Sequence, residues 1–148
     1  MEIKTIGLAS DHAGYELKEF VKQFLQSKNI PFIDYGTHST DSCDYPEFAE
    51  AAAKAVASGE CDKGIVLCTT GIGVSISANK IDGIRCALLS DVWSAKMTRL
   101  HNDTNMMAIG AGFTGKNMAE RMVEVFLSTE FEGGRHERRV NKMMELEG

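Results

Sequence analysis

The sequence lacks any apolar run approaching the roughly 20 residues that a membrane-spanning helix needs. Its first residues lead directly into a strand-like run and have none of the features of a secretory signal peptide. The four cysteines, at positions 43, 61, 68 and 86, form no C-x-x-C pair and have no histidine at zinc-finger spacing. We therefore expect a cytoplasmic protein without a disulfide framework or a structural zinc ion.

Positive charge is also scarce. The chain has 16 Lys and Arg against 21 Asp and Glu, which gives a formal net charge of -5. Nucleic acids and acidic membrane surfaces are bound through basic faces, so neither is an expected partner. A protein of this charge that binds an anionic metabolite must gather its few cations in one place, which makes each Arg or His cluster informative.

The 148 residues predict one globular domain, because 43% are hydrophobic, 25% are charged, and no linker, repeat or low-complexity tract is present. The hydrophobic pattern alternates between strand and helix throughout. Strands are predicted at residues 3–9, 31–35, 63–68, 84–89 and 106–109. Helices are predicted at residues 15–28, from an Asp44 N-cap to residue 58, from the 69–73 loop to residue 80, and at 91–100, 116–127 and 135–146.

Five strands joined by crossover helices predict a doubly wound parallel sheet, a three-layer α/β/α sandwich of the Rossmann-like class. Ligand sites in such sheets lie beyond the carboxyl ends of the strands, where the strand order reverses. In the common 2-1-3-4-5 order, that point lies between strands one and three. The loops that follow these two strands are residues 10–12 and 69–73, and both carry chemically useful side chains.

Cys68 ends the third strand and precedes a loop that contains Gly71 and Gly73. Two glycines allow successive backbone N–H groups to point into one cavity. Such a loop at a helix N-terminus binds phosphate or stabilises an oxyanion. A buried cysteine with a purely structural role, next to a tight turn, is an equally good interpretation of this segment.

Three specific motifs are excluded for this loop, because the residues that each of them requires are absent from the sequence. The C-x5-R pattern of low-molecular-weight tyrosine phosphatases would need arginine where Val74 stands. A dinucleotide fingerprint would need a third glycine at Ile76, and no Walker A Gly-Lys-Ser/Thr is present. Residues 110–115 do satisfy G-x-G-x-x-G, but no further strand is predicted after them to complete a βαβ unit.

Two polar groups have both a functional and a plain structural interpretation. Asp11 and His12 lie at the mouth of strand one, where Asp11 can also simply cap the following helix. Residues 99–105 form a dense polar run between a helix and strand five, which can also be a solvated loop with Asx turns.

The last helix carries the densest positive charge. Arg135 and Arg139 are i,i+4 neighbours on one face, so they can grip one phosphate together. They can equally form a surface ladder of ion pairs with Glu132 and Glu137.

Taken together, these groups resemble one family, the type B ribose-5-phosphate isomerases, in the superfamily that also holds galactose-6-phosphate isomerase subunits. The resemblance covers essentially the whole chain, and the strings that carry it occur in the family's order and at similar spacing. They are Ser10-Asp11-His12, Asp44-Tyr45-Pro46, Cys68-Thr69-Thr70-Gly71-Ile72-Gly73, Ala78-Asn79-Lys80, Gly83-Ile84-Arg85, His101-Asn102-Asp103-Thr104-Asn105 and Glu132-Gly133-Gly134-Arg135-His136.

The resemblance implies an aldose–ketose isomerase that moves a proton between C2 and C1 of an open-chain sugar phosphate through a cis-enediolate. It implies no metal and no cofactor. Cys68 is implied as the base at C2, and Thr70 as a helper in proton movement between oxygens. His101 is implied as the ring-opening group, with Asp11 nearby.

The resemblance also implies the binding residues and the assembly. We expect a homodimer with two shared sites, to which the His101 loop contributes across the interface and on which helix 135–146 packs, with a tetramer as a further level of assembly. The implied binding residues are the loop amides of Thr69, Gly71, Ile72, Gly73 and Val74, the pocket residues Tyr45 and Asn102, and the phosphate grip of His12, Arg135 and Arg139.

Two positions depart from the family pattern. Thr69 stands where the family usually has glycine, and Gly112 stands where ribose-specific members usually carry arginine. Two alternatives therefore remain open: a hexose-6-phosphate isomerase acting on allose or galactose 6-phosphate, and a non-catalytic module that binds a phosphometabolite. Retention of both Cys68 and His101 favours an enzyme, since binding alone needs neither.

Overall fold

The computed structural model describes residues 5–148, in which five parallel strands carry helices on both faces. The strands are β1 (Ile6–Ser10), β2 (Phe32–Asp34), β3 (Lys63–Cys68), β4 (Cys86–Leu88) and β5 (Met106–Gly110). The helices are α1 (Tyr15–Ser27), α2 (Tyr45–Ala57), α3 (Ile72–Asn79), α4 (Val92–Asn102), α5 (Lys116–Ser128) and α6 (Arg135–Glu145). The predicted fold class is confirmed. Residues 3 and 4 of the predicted first strand lie outside the described residues.

The strand order is β2-β1-β3-β5-β4, so the predicted 2-1-3-4-5 order is wrong for the last two strands. β5 pairs with β3 along five residues and is buried throughout. β4 has only three residues, is partly exposed, and pairs with β5. The physical reason is that an apolar strand gains most from a central place, whereas a short, less buried strand suits an edge. The reversal between β1 and β3 is as predicted, because these two strands are neighbours.

The core consists of two apolar layers, one on each face of the sheet. Ile65 and Leu67 of β3 belong to the layer under α1, α4 and α5, whereas Val66 and Cys68 belong to the layer under α2 and α3. This alternation follows from the period of two in a strand. It places the Cys68 side chain on the α2/α3 face.

A buried ion pair fixes α1 to the end of β2. The Lys18 side chain is 0% exposed, and its Nζ donates to Asp34 Oδ1 at 2.6 Å and to the Thr37 carbonyl at 2.5 Å. Burial lowers the pKa of Lys18, although the Asp34 carboxylate opposes that effect. Lys22 Nζ reaches the other carboxylate oxygen at 3.0 Å.

Capping and cross-links define the two helices that lie near the edge strand β4. α4 begins at Asp91, whose Oδ1 accepts from the Ser94 N–H at 2.7 Å. α6 packs on α4, and the chain just after it is held where the Gly83 N–H donates to the Glu147 carboxylate at 3.0 Å. Every helix among residues 5–148 is too short or too polar to cross a bilayer.

Candidate active site

A cavity of about 440 Å³ opens at the carboxyl edge of the sheet, beside the β1–β3 reversal. Seven of its lining residues are predicted site residues, and Ile76 is an addition. Ile76 lies one helical turn after Ile72 and is 56% exposed. Its i,i+4 spacing from Ile72 was the signal in the sequence that it shares a face of α3 with a predicted site residue. The lining residues are Asp11, Tyr45, Cys68, Thr69, Thr70, Ile72, Gly73 and Ile76.

Cys68 ends β3 at the floor of this cavity. Its side chain is 5% exposed, and Sγ accepts a hydrogen bond from the Gly71 N–H at 3.2 Å. A backbone N–H directed at sulfur stabilises negative charge on it. The arrangement therefore offers a nearly buried sulfur that faces a ligand-sized space and accepts one backbone N–H.

The two loop glycines are required by close approaches. Gly71 has φ of +77°, and a Cβ there would lie 2.5 Å from Leu88 Cδ1 and 2.9 Å from the Gly110 nitrogen. A Cβ on Gly73 would lie 2.5 Å from Cε1 of Tyr45. Tyr45, the first residue of α2, thus packs directly on the start of α3 and forms one wall of the cavity.

The predicted set of loop amides is only partly available to a ligand. The Gly71 N–H is bonded to Cys68 Sγ, and the Ile72 N–H donates to Thr70 Oγ1 at 3.2 Å. The Val74 side chain lies in the core rather than at the cavity. A short loop at a helix start satisfies its free N–H groups locally where side-chain acceptors are in reach, which the sequence prediction did not consider.

Asp11 combines the two roles suggested by its position. Its Oδ1 accepts from the N–H groups of Ala13 and Gly14, both at 3.0 Å, so it caps the turn that leads into α1, whereas the N-cap of α1 itself is Gly14. The same carboxylate borders the cavity. His12 points elsewhere: its Nδ1 accepts from the Cys43 N–H at 3.2 Å, and it is not among the cavity-lining residues.

His101 and Asn102 lie in the last turn of α4. Helices in a parallel sheet return the chain to the amino ends of the strands, and residue 105 bonds there: the Gly64 N–H donates to the Asn105 carbonyl at 3.0 Å. α6, which carries Arg135 and Arg139, begins beside His101. Within one chain, these two residues and the two arginines therefore lie near the amino edge of the sheet, whereas Cys68 lies at its carboxyl edge.

Arg135 and Arg139 are both exposed, and within residues 5–148 neither forms an ion pair. The alternative interpretation, a ladder with Glu132 and Glu137, is not seen. Glu132 instead approaches His136, with Oε1 3.7 Å from Nε2.

His136 is a residue to which the sequence analysis gave no role. Its ring stacks on that of His101, with centroids 4.3 Å apart and planes at 14°. Burial lowers the pKa of His136, and the nearby His101 and Arg135 lower it further. One donor atom from each of His101, Glu132 and His136 lies within 4.8 Å of the other two, but the stacked rings do not direct their lone pairs at one common point.

Comparison with known proteins gives the family. The model of the Ribose/Galactose Isomerase family matches residues 6–143. Ribose-5-phosphate isomerase B of Escherichia coli is 42% identical over 145 residues, which cover 98% of this chain and 97% of that protein. The galactose-6-phosphate isomerase subunit LacB of Clostridium acetobutylicum is 40% identical over 126 residues, which cover 85% of this chain and 73% of that protein.

Solved structures agree along nearly the whole chain. Ribose-5-phosphate isomerase B of Clostridium thermocellum superposes with a TM-score of 0.95 at 48% identity, covering 97% of both chains. That of Mycoplasma genitalium, solved with bound ribulose-5-phosphate, gives 0.93 at 36% identity and covers 97% of this chain and 95% of the other. The chain belongs to the ribose/galactose isomerase family of enzymes.

Proposed function

We propose that this isomerase interconverts ribose 5-phosphate and ribulose 5-phosphate through a cis-enediolate, with Cys68 as the base at C2. The observation that carries the proposal is the Cys68 sulfur at the cavity floor, held 3.2 Å from the Gly71 N–H. A module that only binds a phosphometabolite has no need of a sulfur arranged in this way.

The chemistry requires one proton to move between neighbouring carbons. The Cys68 thiolate takes the proton from C2, and the C–H electron pair becomes the C1–C2 double bond of the enediolate. The Thr70 hydroxyl, at the same cavity wall, relays a proton between the two oxygens. The Cys68 thiol then returns its proton to C1, so no electrons are gained or lost overall.

Ring opening requires a second group, for which we propose His101. Five residues of β5 separate the two edges of the sheet by roughly 16 Å, so His101 and Cys68 of one chain do not reach the same sugar. We therefore propose a homodimer in which His101 and Asn102 of the partner subunit complete each cavity.

The phosphate would be held by Arg135 and Arg139, with His12. Both arginines are exposed and unpaired within the described range, and their i,i+4 spacing presents two guanidinium groups on one face. In a chain with a net charge of -5, two adjacent free cations favour an anionic ligand. Since α6 begins beside His101, these arginines would enter the shared site together with it.

A hexose 6-phosphate is the second candidate substrate, and Gly112 favours it. Gly112 follows β5 and contacts Thr69, which lines the cavity, although Gly112 is not itself a lining residue. The absence of a side chain there leaves room for a longer sugar. The Clostridium acetobutylicum relative is named for galactose 6-phosphate.

The test is ketose formation by the full chain after dialysis against EDTA, in deuterated water and without nucleotide. Ribose, allose and galactose phosphates are compared. We expect ribulose 5-phosphate as the main product, with deuterium at C1 to the extent that the Cys68 thiol exchanges its proton with the solvent before returning it. Phosphate-sugar binding without turnover would favour the non-catalytic module instead, and activity that is lost with EDTA and restored by one metal would contradict the cofactor-free mechanism.

A further inference from the structure

The turn that follows His101 and Asn102 is held by two arginines to which the proposed function gives no role. Two segments that take part in the family resemblance, residues 83–85 and 103–105, are also without a role in that function. The structure joins these segments to each other, directly after the proposed ring-opening group. Neither segment contributes a residue to the lining of the Cys68 cavity.

The two segments are linked through the Asn105 amide. Its Oδ1 accepts from the Arg85 N–H at 2.9 Å, and its Nδ2 donates to the Gly83 carbonyl at 2.9 Å. The Arg85 carbonyl accepts in turn from the N–H groups of Asn105 and Met106, at 3.1 and 3.2 Å. These bonds fix the chain just before β4 against the start of β5.

The Arg85 side chain reaches from there to the turn itself. Its Nε donates to the carbonyls of Asn102 and Asp103, at 3.0 and 3.2 Å, and its Nη2 donates to the Asp103 carbonyl at 2.6 Å. Nη2 also lies 3.6 Å from Asp103 Oδ2. Because the guanidinium is largely buried, these charge-assisted contacts are only weakly screened by solvent.

Arg99 holds the same turn from within α4. It is 4% exposed, and its Nη1 donates to Asp103 Oδ1 at 2.9 Å and to the Thr104 carbonyl at 2.7 Å. Its Nε donates to the Thr129 carbonyl at 3.0 Å, which ties the turn to the α5–α6 connection. Asp103 therefore presents one carboxylate oxygen to each arginine.

The backbone of this turn needs such support. Asp103 ends α4 with φ of +45° and ψ of +43°, a left-handed conformation that few residues other than glycine adopt. The two arginines together bond three successive carbonyls, those of residues 102–104. The peptide units next to His101 are therefore fixed in orientation by charged donors rather than left to water.

We propose that Arg85, Arg99 and Asp103 are positioning residues that hold His101 and Asn102 in the orientation required by the cavity of the partner subunit. This inference rests on the proposed function, in which both side chains act on a sugar bound by the other chain. The walls of that cavity cannot orient them before the subunits meet, so their own chain must do so. A misplacement of about 1 Å at a reacting group can cost about 100-fold in rate.

Asp103 is the residue to change first, because its side chain is 39% exposed and its loss should be compatible with folding. Asp103→Gly keeps the left-handed backbone and removes both carboxylate oxygens. Asp103→Asn keeps one acceptor and a residue type that tolerates this conformation. Asp82→Asn removes the same charge at an exposed position just before Arg85 and is the control.

We expect kcat for ribose 5-phosphate to fall about tenfold or more in Asp103→Gly, with KM raised no more than about threefold. Asp103→Asn should lose less than about threefold in kcat, and Asp82→Asn should match wild type. If Asp103→Gly fails to fold, Arg85→Lys takes its place, since lysine keeps the charge but lacks the fork that spans two carbonyls.

Subunit mixing separates positioning in trans from damage to the altered chain itself. In a mixed dimer of Cys68→Ala and Asp103→Gly chains, one cavity combines an intact Cys68 with an intact His101 turn. We expect that cavity to work at close to the wild-type rate, which gives up to about half of the wild-type activity per mixed dimer. If Asp103→Gly instead damages the fold or the cavity of its own chain, the mixture stays as slow as Asp103→Gly alone.

Wild-type turnover in a folded Asp103→Gly chain would overturn the positioning role. A mixture that fails to recover, while Cys68→Ala and His101→Ala chains do complement each other, would also overturn it and would leave the proposed function intact. If neither mixture recovers after verified subunit exchange, the shared site of the proposed function is wrong, and positioning in trans is wrong with it.

Discussion

The Gly112 N–H donates to the Thr69 carbonyl at 2.8 Å. A Cβ placed on Gly112 would lie 3.0 Å from that same oxygen and 3.3 Å from Thr69 Cγ2. The two positions that depart from the family pattern are therefore in direct contact, and one of them, Thr69, lines the cavity. A side chain at residue 112 must share its space with Thr69.

Gly112→Arg should shift substrate preference toward the shorter sugar. An added guanidinium offers the phosphate one charge-assisted contact, worth about 1.5–3 kcal/mol. We expect the ratio of kcat/KM for ribose 5-phosphate over a hexose 6-phosphate to rise by about tenfold or more. The rise should be larger in a Thr69→Gly background, where the Cγ2 contact is gone.

Gly112→Ala is the matched control, because it introduces the same Cβ without the charge. This variant should lower kcat/KM slightly for both ribose 5-phosphate and the hexose 6-phosphate, and leave the ratio of the two values near that of wild type. An unchanged ratio in a well-folded Gly112→Arg chain would show that residue 112 does not set substrate length.

Cys68→Ala should reduce kcat by orders of magnitude with only a modest change in KM, because the carbon base is lost while the binding groups remain. Alkylation of wild type should inactivate it, and ribose 5-phosphate should slow that reaction.

Cys86 is the matched control thiol: burial raises its pKa to about 12, so it carries almost no thiolate at neutral pH. Cys86→Ala should keep near-normal turnover, and the same result in Cys68→Ala would assign the base to another residue.

Chains carrying Cys68→Ala and His101→Ala should complement each other. If each cavity takes Cys68 from one subunit and His101 from the other, a mixed dimer contains one site with both groups intact. We expect up to about half of the wild-type activity per mixed dimer. Mass spectrometry of the native assembly verifies subunit exchange, and complete exchange without recovered activity would argue against a shared site.

The sequence predicted the sheet, the helices and the Cys68 cavity well, because these follow from hydrophobic period and from the rule for strand ends. The sequence-based prediction failed where the position of a strand in the sheet depends on which of two strands is more stable when buried. β5 displaced β4 from the centre because burial, not chain order, decides which strand is interior. His136 carried no signal of its own, since its importance comes from stacking on a residue 35 positions earlier.

Asp34→Asn should destabilise the fold by about 3–5 kcal/mol, because it leaves the buried Lys18 ammonium without its counter-charge. Urea denaturation measures the loss, and Asp41→Asn, at an exposed position, should stay within about 0.5 kcal/mol of wild type. A loss below about 1 kcal/mol for Asp34→Asn would mean that the pair contributes little.

The effect of Asp34 should also depend on pH. Burial alone would raise the pKa of Asp34, but hydrogen bonds from Lys18, the Gly36 N–H and Lys22 outweigh it and hold the pKa below its ordinary value. The stabilisation is therefore complete above the unfolded pKa of about 3.9 and is lost as pH falls through the lower folded value. The difference between wild type and Asp34→Asn should be constant from about pH 5 to 7 and shrink in more acidic solution.

The position of β5 between β3 and β4 has a consequence for biosynthesis. Until residues 106–110 leave the ribosome, one edge of β3 has no strand to pair with, and β4 has no neighbour at all. The cysteine loop is completed only after β5 has been made, since the carbonyls of Cys68 and Thr69 accept from the N–H groups of Ala111 and Gly112. While residues 69–110 are being made, the nascent chain thus carries a largely apolar strand with one unpaired edge, which is a site for mispairing with another chain.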